Sequence, residues 1–382
     1  MIPPNDSARR IAFVTGTRAD FGKLIPLATA ASVAGCETSF FVTGMHMLRR
    51  YGDTRIEVRQ QVRGSIYEFV NQSPGDPHDV VLAKTMQGFI DWITEHPVDL
   101  VVVHGDRVEA LAVALVCAMR YIPCAHIEGG ELSGTIDELY RHCNSKLCRY
   151  HFVSSESAAR RVVALGENPG DIFVIGSPEL DVHGTTAPVE LSEVKAYYDI
   201  DFEDYGIVVF HPVTSEFDKV REQAESLFRE LSSSGRQFVV ICPNNDPGSD
   251  QIFAVLDKLP VQQFRVIPSM RFAYFSVLMR HASAIVGNSS LGVREAPFLG
   301  VPSLNVGTRQ NQRSQSPSIT HAQADDSMTI TDFLTRKWGL RFERSGEFGG
   351  GDASARFVEI ISDSAFWERA RQKTFYEPPE EL

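Results

Sequence analysis

The sequence has no apolar run long enough to cross a lipid bilayer and no excess of basic charge. Its longest apolar run, residues 110–119, is ten residues, whereas a membrane-spanning helix needs about 20. There are 37 Lys and Arg against 49 Asp and Glu, a net charge of −12, which disfavours non-specific binding to nucleic acid or to a membrane surface. Residues 1–7 show no apolar stretch after a basic start, so no secretory signal is expected. The sequence predicts a soluble cytoplasmic protein with no nucleic-acid and no membrane partner.

Signatures of metal, disulfide and dinucleotide sites are also missing. The six cysteines form no C-x-x-C pair, so they are expected to be reduced, structurally idle thiols. No H-x-x-H or H-E-x-x-H spacing occurs, and a metal site would require His104, His126, His142 and His211 to converge from distant positions. There is no G-x-G-x-x-G. We therefore expect no metal and no cofactor.

What the sequence does contain is an alternation of short β-branched runs with amphipathic stretches. Such runs are typical of strands buried on both faces of a parallel sheet. They indicate an α/β protein with two Rossmann-like, doubly wound domains, 1–180 and 181–382, and the last helix is a candidate to pack back on the first domain. The predicted strands are 11–14, 39–42, 98–103, 124–127, 172–175, 207–210, 237–241, 264–267, 284–286 and 303–306, and the closing helices are 353–362 and 366–375.

Carboxylates follow two of the predicted strands in the first half. Asp106 comes after strand 98–103, and Glu128, Glu131, Asp137 and Glu138 follow strand 124–127 within eleven residues. In open α/β sheets ligands bind beyond the carboxyl ends of the strands. Crowded carboxylates there can supply an acid and a base together. The alternatives are that Asp106 caps the next helix, and that the pairs 137/141 and 138/142 are surface ion pairs.

Groups suited to phosphate follow other strands. Arg18 lies in the turn after the first strand, where Thr17 or Asp20 could simply cap the helix. After strand 284–286 the run GNSSLGVRE places Asn288 or Ser289 as the cap of a helix whose free N–H groups suit a phosphate, and Glu295 where it can meet a ribose. Arg309 offers a further cation. Two arginines, a helix start and a carboxylate cluster indicate a nucleotide-sugar enzyme.

The motifs together resemble the hydrolysing UDP-N-acetylglucosamine 2-epimerases, in the branch that serves sialic and nonulosonic acid biosynthesis. The resemblance runs from about residue 11 to residue 310 and rests on TRAD 17–20, TGMH 43–46, HGDR 104–107, HIEGGE 126–131, RH 141–142, HPVT 211–214, GNSSLGVRE 287–295 and GTRQ 307–310.

The resemblance implies a fold, a reaction and a set of roles. The fold is GT-B, two Rossmann-like domains facing across a cleft, in a homodimer or homotetramer. The reaction eliminates UDP to a glycal and then hydrates it, giving N-acetylmannosamine and UDP, which needs at least two acid/base groups. Asp106, Glu128 and Asp137 are the acid/base candidates, with Glu131 in support. The substrate-binding candidates are Arg18, His46, Arg107, His126, Arg141, His142, His211, Asn244, Asn288, Ser289, Ser290, Gly292, Glu295 and Arg309.

Four alternatives stay open at this point. The same reaction on UDP-2,4-diacetamido-2,4,6-trideoxy-glucose, in legionaminic acid synthesis, fits the motifs equally well. A non-hydrolysing 2-epimerase fits the TGMH and HIEGGE signatures less well. A GT-B glycosyltransferase would share residues 287–295 without needing the carboxylate cluster, and a non-catalytic nucleotide-sugar sensor would bind without turnover. The sequence does not say which carboxylate abstracts the proton.

Overall fold

A computed structural model describes residues 8–133, 136–185, 189–369 and 372–377, with the side chain of Thr185 left aside. Residues 1–7, on which the expectation of no secretory signal rests, lie outside this range. The strands are β1 (Arg10–Thr15), β2 (Glu37–Val42), β3 (Ser65–Glu68), β4 (Leu100–His104), β5 (Cys124–Ile127), β6 (Tyr150–Val153), β7 (Ile172–Val174), β8 (Tyr205–Val209), β9 (Gln237–Ile241), β10 (Phe264–Ile267), β11 (Ala284–Gly287), β12 (Ser303–Val306) and β13 (Ile319–Ala322).

The helices alternate with these strands. They are α1 (Arg18–Val33), α2 (Arg55–Gln61), α3 (His78–Glu95), α4 (Val108–Arg120), α5 (Ile136–Leu147), α6 (Glu156–Ala164), α7 (Glu179–Thr185), α8 (Leu191–Tyr198), α9 (Val220–Ser233), α10 (Ser249–Leu256), α11 (Phe272–His281), α12 (Glu295–Leu299), α13 (Ser327–Arg336), α14 (Ala353–Ser362) and α15 (Ser364–Trp367). None of the described helices is long and apolar enough to span a bilayer.

The chain forms two compact units. The first comprises Met1–Glu131, Asp137–Gly184 and Phe348–Leu382, and the second comprises Leu132–Ile136 and Thr185–Glu347. Where the sequence suggested a division at 180/181, the units divide at 184/185, and the segment from Phe348 onwards belongs to the first unit.

The first unit is built on a seven-stranded sheet in the order β3-β2-β1-β4-β5-β6-β7, with every pairing parallel. Its central strands are buried on both faces, as helix-covered parallel strands must be. α14 packs on α1, and the Phe357 and Phe366 rings join the core at 4.8 Å from Phe152 and 4.2 Å from Tyr150 respectively. These apolar contacts explain why the returning segment belongs to the first unit.

The second unit repeats the design with six parallel strands in the order β10-β9-β8-β11-β12-β13. Apolar side chains fill both faces of this sheet, one face against α9, α10 and α13 and the other against α8 and α11. The α/β class and the two Rossmann-like sheets predicted from the sequence are therefore confirmed.

Three strands escaped the sequence prediction: β3, β6 and β13. The predicted helix over residues 366–375 is wrong. α15 ends at Trp367, and residues 372–377 contain no helix; residues 370–371 lie outside the described range. The Lys373 ammonium donates hydrogen bonds to the carbonyls of Ser145 and Cys148. These bonds hold residues 372–377 against the end of α5.

Gly287, the last residue of β11, gives a test of backbone constraint. It has φ 130°, and a Cβ at this position would lie 2.0 Å from the Val209 carbonyl oxygen on β8. Gly287→Ala is therefore expected to destabilise the protein by about 3 kcal/mol or more, which thermal unfolding would measure. Gly235→Ala is the matched control, because Gly235 also has a positive φ, 69°, but nothing lies within 4 Å of its Cβ position. Equal losses in both variants would contradict the steric argument.

Candidate active site

The first unit has its topological switch point between β1 and β4, which are neighbours in the sheet but not in the sequence. In open α/β sheets the crevice at such a point is where ligands bind. The loop after β1 leads into Arg18, the first residue of α1. The loop after β4 carries Asp106, and β5, next to β4, leads into Glu128. The predicted carboxylates are thus placed at one edge of one sheet.

The loop after β1 is fixed by its own hydrogen bonds. Thr17 and Asp20 form a reciprocal capping box at the start of α1, so the capping interpretation of these residues is confirmed. The Asp20 carboxylate also accepts from the Gly16 backbone N–H at 3.0 Å. Arg18, the predicted phosphate ligand, forms an ion pair with the Glu57 carboxylate on α2. The loop is therefore rigid, and the Arg18 charge is already partly balanced.

His46 lies beneath the loop after β1 and hydrogen-bonds to the last residue of that strand. Its ring is fully buried, with Nε2 at 2.9 Å from Thr15 Oγ1 and Nδ1 at 2.6 Å from Thr54 Oγ1. Burial lowers the pKa of His46 to about 4, so the ring is neutral at pH 7. The structure gives this predicted substrate-binding residue a position beneath the loop, with no exposed surface for a ligand.

Asp106 does not cap the helix after β4. Arg107 is the residue before α4, and no side chain caps that helix start. The Asp106 carboxylate instead forms an ion pair with the Arg141 guanidinium of α5, and Arg141 also donates to the Glu131 backbone carbonyl at 3.1 Å. The Asp106 side chain remains 24% exposed. The capping alternative is therefore wrong, because the carboxylate has a distant charged partner and a path to solvent.

Three donors that are distant in the sequence hold the Glu128 carboxylate in place. Its backbone takes the left-handed conformation, φ 63°. Its carboxylate accepts from the Lys23 ammonium at 2.9 Å, from the His104 ring at 3.0 Å and from the Ser177 hydroxyl. Lys23 also lies 2.8 Å from the Glu179 carboxylate. Donors on one carboxylate favour its ionised form and fix its direction.

His104 is neutral in this arrangement. Burial, and next the nearby Lys23 ammonium, lower its pKa. The neutral ring then carries its proton on Nε2, the nitrogen that donates to Glu128. A neutral donor orients a carboxylate without adding a second buried positive charge.

Four residues of this network were absent from the predicted set: Lys23, His104, Ser177 and Glu179. Two signals in the sequence could have found three of them. His104 and Ser177 follow the strands predicted at 98–103 and 172–175, so the strand-end rule applies to both. Lys23 is the one basic residue in the otherwise apolar run FGKLIPL of α1, and a buried lysine needs a charged partner.

The other predicted residues of the first unit lie around these groups. The Glu131 carboxylate accepts from the Ser154 hydroxyl. Asp137 is buried in the first turn of α5, one turn before Arg141. His142 lies 3.7 Å from Glu138, and burial lowers its pKa. Arg107 lies 3.8 Å from the Glu109 carboxylate. The residues of the pair 138/142 thus lie close together, but the lowered pKa leaves His142 neutral at pH 7, so the contact is not an ion pair there.

His126 is a structural residue in this conformation. It is fully buried; Nε2 donates to the Gly105 carbonyl at 2.7 Å and Nδ1 faces the Ser145 hydroxyl at 3.0 Å.

Two residues after Glu128, Gly130 has φ 76°, and a Cβ there would lie 2.3 Å from the Ala158 carbonyl. The turn after β5 is therefore fixed at both ends by close contacts.

In the second unit the switch point lies between β8 and β11, and hydrogen bonds join the loops that follow them. The Asn288 amide accepts from the His211 N–H at 2.7 Å and donates to the His211 carbonyl at 2.8 Å. The Asn244 N–H donates to His211 Nδ1 at 3.1 Å, so the neutral ring carries its proton on Nε2. Arg309 donates to the Asn288 carbonyl at 3.4 Å. Four predicted residues from separate loops are thus brought together.

The expected helix cap after β11 is wrong. Asn288 uses its amide on His211, and Ser289 precedes a single 3-10 turn, Ser290–Gly292, without a side-chain cap bond. The Gly292 carbonyl accepts from the Ser303 hydroxyl at 2.5 Å. Glu295 begins α12 and is buried, whereas Ser289 and Ser290 are half-buried. The short turn presents hydroxyls and N–H groups rather than the start of a long helix.

Each unit therefore has its own chemistry. The first offers two carboxylates on neighbouring strand ends, each beside a cation: Asp106 with Arg141 and Glu128 with Lys23. The second offers polar donors and one arginine. Among the described residues, no three His, Cys, Asp or Glu side chains form a group that could hold a metal ion.

The pH dependence of stability provides a test of the His126 environment. Burial lowers the pKa of His126 to about 3, below its value of about 6.5 in the unfolded chain. Unfolding then takes up a proton below pH 6.5, so this residue's contribution to stability is present above that pH and is lost as pH falls toward 3. Relative to pH 7.5, we expect wild type to lose about 2 kcal/mol more at pH 5.0 than His126→Gln, measured by urea unfolding. Parallel losses in the two proteins would contradict the assignment.

Comparisons with known proteins agree with this geometry. A sequence model of the family described as UDP-N-acetylglucosamine 2-epimerase matches residues 30–362. A UDP-N-acetylglucosamine 2-epimerase of Neisseria meningitidis is 44% identical, over 96% of this chain and 98% of that protein. A UDP-N,N'-diacetylbacillosamine 2-epimerase (hydrolyzing) of Legionella pneumophila is 30% identical, over 92% and 95%.

Solved structures share the fold. The UDP-GlcNAc 2-epimerase of Methanocaldococcus jannaschii, in complex with UDP-GlcNAc and UDP, superposes with a TM-score of 0.77 at 20% identity, covering 92% of this chain and 99% of that one. The fold, the match to the family model over most of the chain and the 44% identity to the Neisseria protein lead to one conclusion: this chain belongs to the UDP-N-acetylglucosamine 2-epimerase family.

Proposed function

We propose that this protein is a hydrolysing 2-epimerase that converts UDP-N-acetylglucosamine to N-acetylmannosamine and UDP, for sialic or nonulosonic acid biosynthesis. The observation that carries the proposal is the pair of carboxylates at the ends of β4 and β5, Asp106 and Glu128, each beside a cation. The 44% identity to the Neisseria 2-epimerase supports the substrate.

The first step is an elimination. A carboxylate takes the proton from C2 of the sugar, the C2–H electrons form the C1=C2 double bond, and the C1–O bond breaks to release UDP. The C2 proton is only weakly acidic, so the reaction depends on stabilising the departing diphosphate. In the second unit we assign the diphosphate to His211 Nε2–H, the Ser289 and Ser290 hydroxyls and the Arg309 guanidinium, and the ribose to Glu295. Arg18 is the first unit's candidate cation for a phosphate.

The second step is a hydration of the glycal. Water adds its oxygen to C1, an acid returns a proton to C2 on the opposite face, and the water's remaining proton goes to a base. Addition and removal on opposite faces require two differently placed groups. Asp106, Glu128 and Asp137 are the candidates for these groups. The fixed Glu128 and the part-exposed Asp106 have the different environments that such a division requires.

A second substrate has specific support. The Legionella relative, 30% identical, is a hydrolysing 2-epimerase for a diacetamido sugar, and UDP-2,4-diacetamido-2,4,6-trideoxy-glucose differs from UDP-N-acetylglucosamine only at C4 and C6. We place it second because the identity to the Neisseria protein is higher. A homodimer or homotetramer stays a prediction.

The first test is proton NMR of the purified protein with UDP-N-acetylglucosamine in D2O, without any acceptor. We expect release of UDP together with N-acetylmannosamine that carries deuterium at C2, because the solvent supplies the returning proton. A sugar that is released without exchange and without inversion would contradict epimerisation. UDP-N-acetylmannosamine as the product would indicate the non-hydrolysing reaction. Turnover of only the diacetamido sugar would establish the second substrate.

The carboxylates can be tested by isosteric substitution. Asp106→Asn and Glu128→Gln should each lower kcat by about 10²–10⁴-fold, the usual contribution of a general acid or base. Asp91→Asn, on the exposed side of α3 where the carboxylate accepts from Gln87, is the control and should keep wild-type turnover. Circular dichroism checks that each variant is folded. Full activity of either site variant would remove that residue from the mechanism.

A further inference from the structure

Helix α5 presents one face to the edge of the sheet where the candidate active site lies. Asp137, Arg141, Asn144 and Ser145 recur on this face at the spacing of helical turns. Arg141 pairs with Asp106, Asn144 donates to the Gly105 carbonyl at 3.0 Å, and Ser145 meets His126 at 3.0 Å. The position of α5 therefore sets the position of Arg141 and of the loop that carries Asp106.

At the carbonyl end of α5, the partner is Lys373, which lies more than 220 residues further along the chain. The Lys373 ammonium donates to three carbonyls at the end of α5: Ser145 at 3.0 Å, Lys146 at 2.6 Å and Cys148 at 2.6 Å. The last carbonyls of a helix have no partner within the helix, and a cation there also opposes the helix dipole. One ammonium thus lies within hydrogen-bond distance of three carbonyls at this helix end.

Lys373 is itself held in place. It forms an ion pair with the Glu167 carboxylate, which is buried and also meets His151 at 3.1 Å and Lys146 at 3.0 Å. Burial lowers the pKa of Lys373, which agrees with an ammonium largely withdrawn from water. The anchoring carboxylate is thus shared by three basic side chains.

The residues around Lys373 are docked along their length. The Tyr376 N–H donates to the Gly166 carbonyl at 2.9 Å, the Gln372 carbonyl accepts from Arg149 at 3.1 Å, and the Lys146 ammonium lies 4.8 Å from the centre of the Phe375 ring. A Cβ on Gly166 would lie 2.1 Å from the Phe375 ring. Several contacts therefore hold residues 372–377 against the end of α5, although the Phe375 ring remains 68% exposed.

We propose that Lys373 is a positioning residue: by closing the carbonyl end of α5 it keeps Asp137 and Arg141 in register with Asp106. It touches no reacting atom and acts only through the helix. Its effect on turnover rests on the proposed function, whereas its effect on the helix does not. A helix displaced by a fraction of an ångström at the catalytic carboxylate would slow the chemical step more than it would weaken binding of the nucleotide.

The test compares Lys373→Met, Lys373→Arg and Lys146→Met in the full-length chain. Lys146→Met is the matched control, because the Lys146 ammonium pairs with the same Glu167 but donates to the Leu165 carbonyl rather than to the carbonyls of Ser145 and Cys148. Hydrogen–deuterium exchange follows α5, and steady-state kinetics give kcat and KM for the UDP-sugar. If Lys373→Met does not fold, Lys373→Gln gives the same comparison.

We expect Lys373→Met to exchange the amides in the last turn of α5 about tenfold faster and to lose about tenfold in kcat, with KM within about twofold. Lys373→Arg, which restores charged donors, should recover both values, and the control should match wild type. Unchanged exchange in Lys373→Met would show that Lys373 does not hold the carbonyl end of α5. Faster exchange with wild-type kcat, or an equal loss of kcat in the control, overturns the positioning role. A wild-type protein with no turnover refutes the proposed function. The exchange data would still show whether Lys373 holds the end of α5.

Discussion

The buried ammonium of Lys23 is the interaction around which the first unit is organised. It lies within 2.9 Å of Glu128 and 2.8 Å of Glu179, and all three side chains are almost completely buried. Burying a charge costs several kcal/mol unless partners compensate it, and removing one partner from a buried pair costs about 3–5 kcal/mol. Three segments meet here: α1, the turn after β5 and the start of α7. We therefore expect them to pack against one another in the same folding step. The same contact that holds them also fixes the direction of the candidate acid/base carboxylate.

The second unit joins its two central loops with neutral hydrogen bonds. Its two central loops are joined by the Asn288 amide, which satisfies both backbone groups of His211. An amide can donate and accept at once, so it links two neighbouring strand ends as another strand would. The imidazole is left in one tautomer with its N–H on Nε2. A buried ion pair thus holds Glu128 in the first unit, whereas an amide holds His211 in the second.

The sequence predicted the class of the fold because its central strands are continuous β-branched runs. The strands it missed lack that signal: β3 reads SIYE, β6 reads YHFV directly after a helix, and β13 reads ITHA. Strand ends placed Asp106 and Glu128 after two neighbouring strands, and the pairing of β4 with β5 confirms that placement. The partners of these residues could not be predicted in the same way. Lys23 meets Glu128 across 105 positions, and no local periodicity encodes such a pair. The expected cap at Asn288 failed for the same reason, because a partner 77 residues away takes its side chain.

The order of the units along the chain has a consequence for biosynthesis. The core of the first unit includes Phe357, Ile361 and Phe366, whereas the second unit is complete at Glu347. On the ribosome, the second unit can therefore fold while the first still lacks one wall of its core. Completing the first unit must then close a loop that contains Thr185–Glu347, which is nearly all of the second unit. This is a slow, non-local step that leaves apolar surface exposed in the meantime. Chaperone demand during synthesis is accordingly expected to fall on the amino-terminal half of the chain, although it is made first.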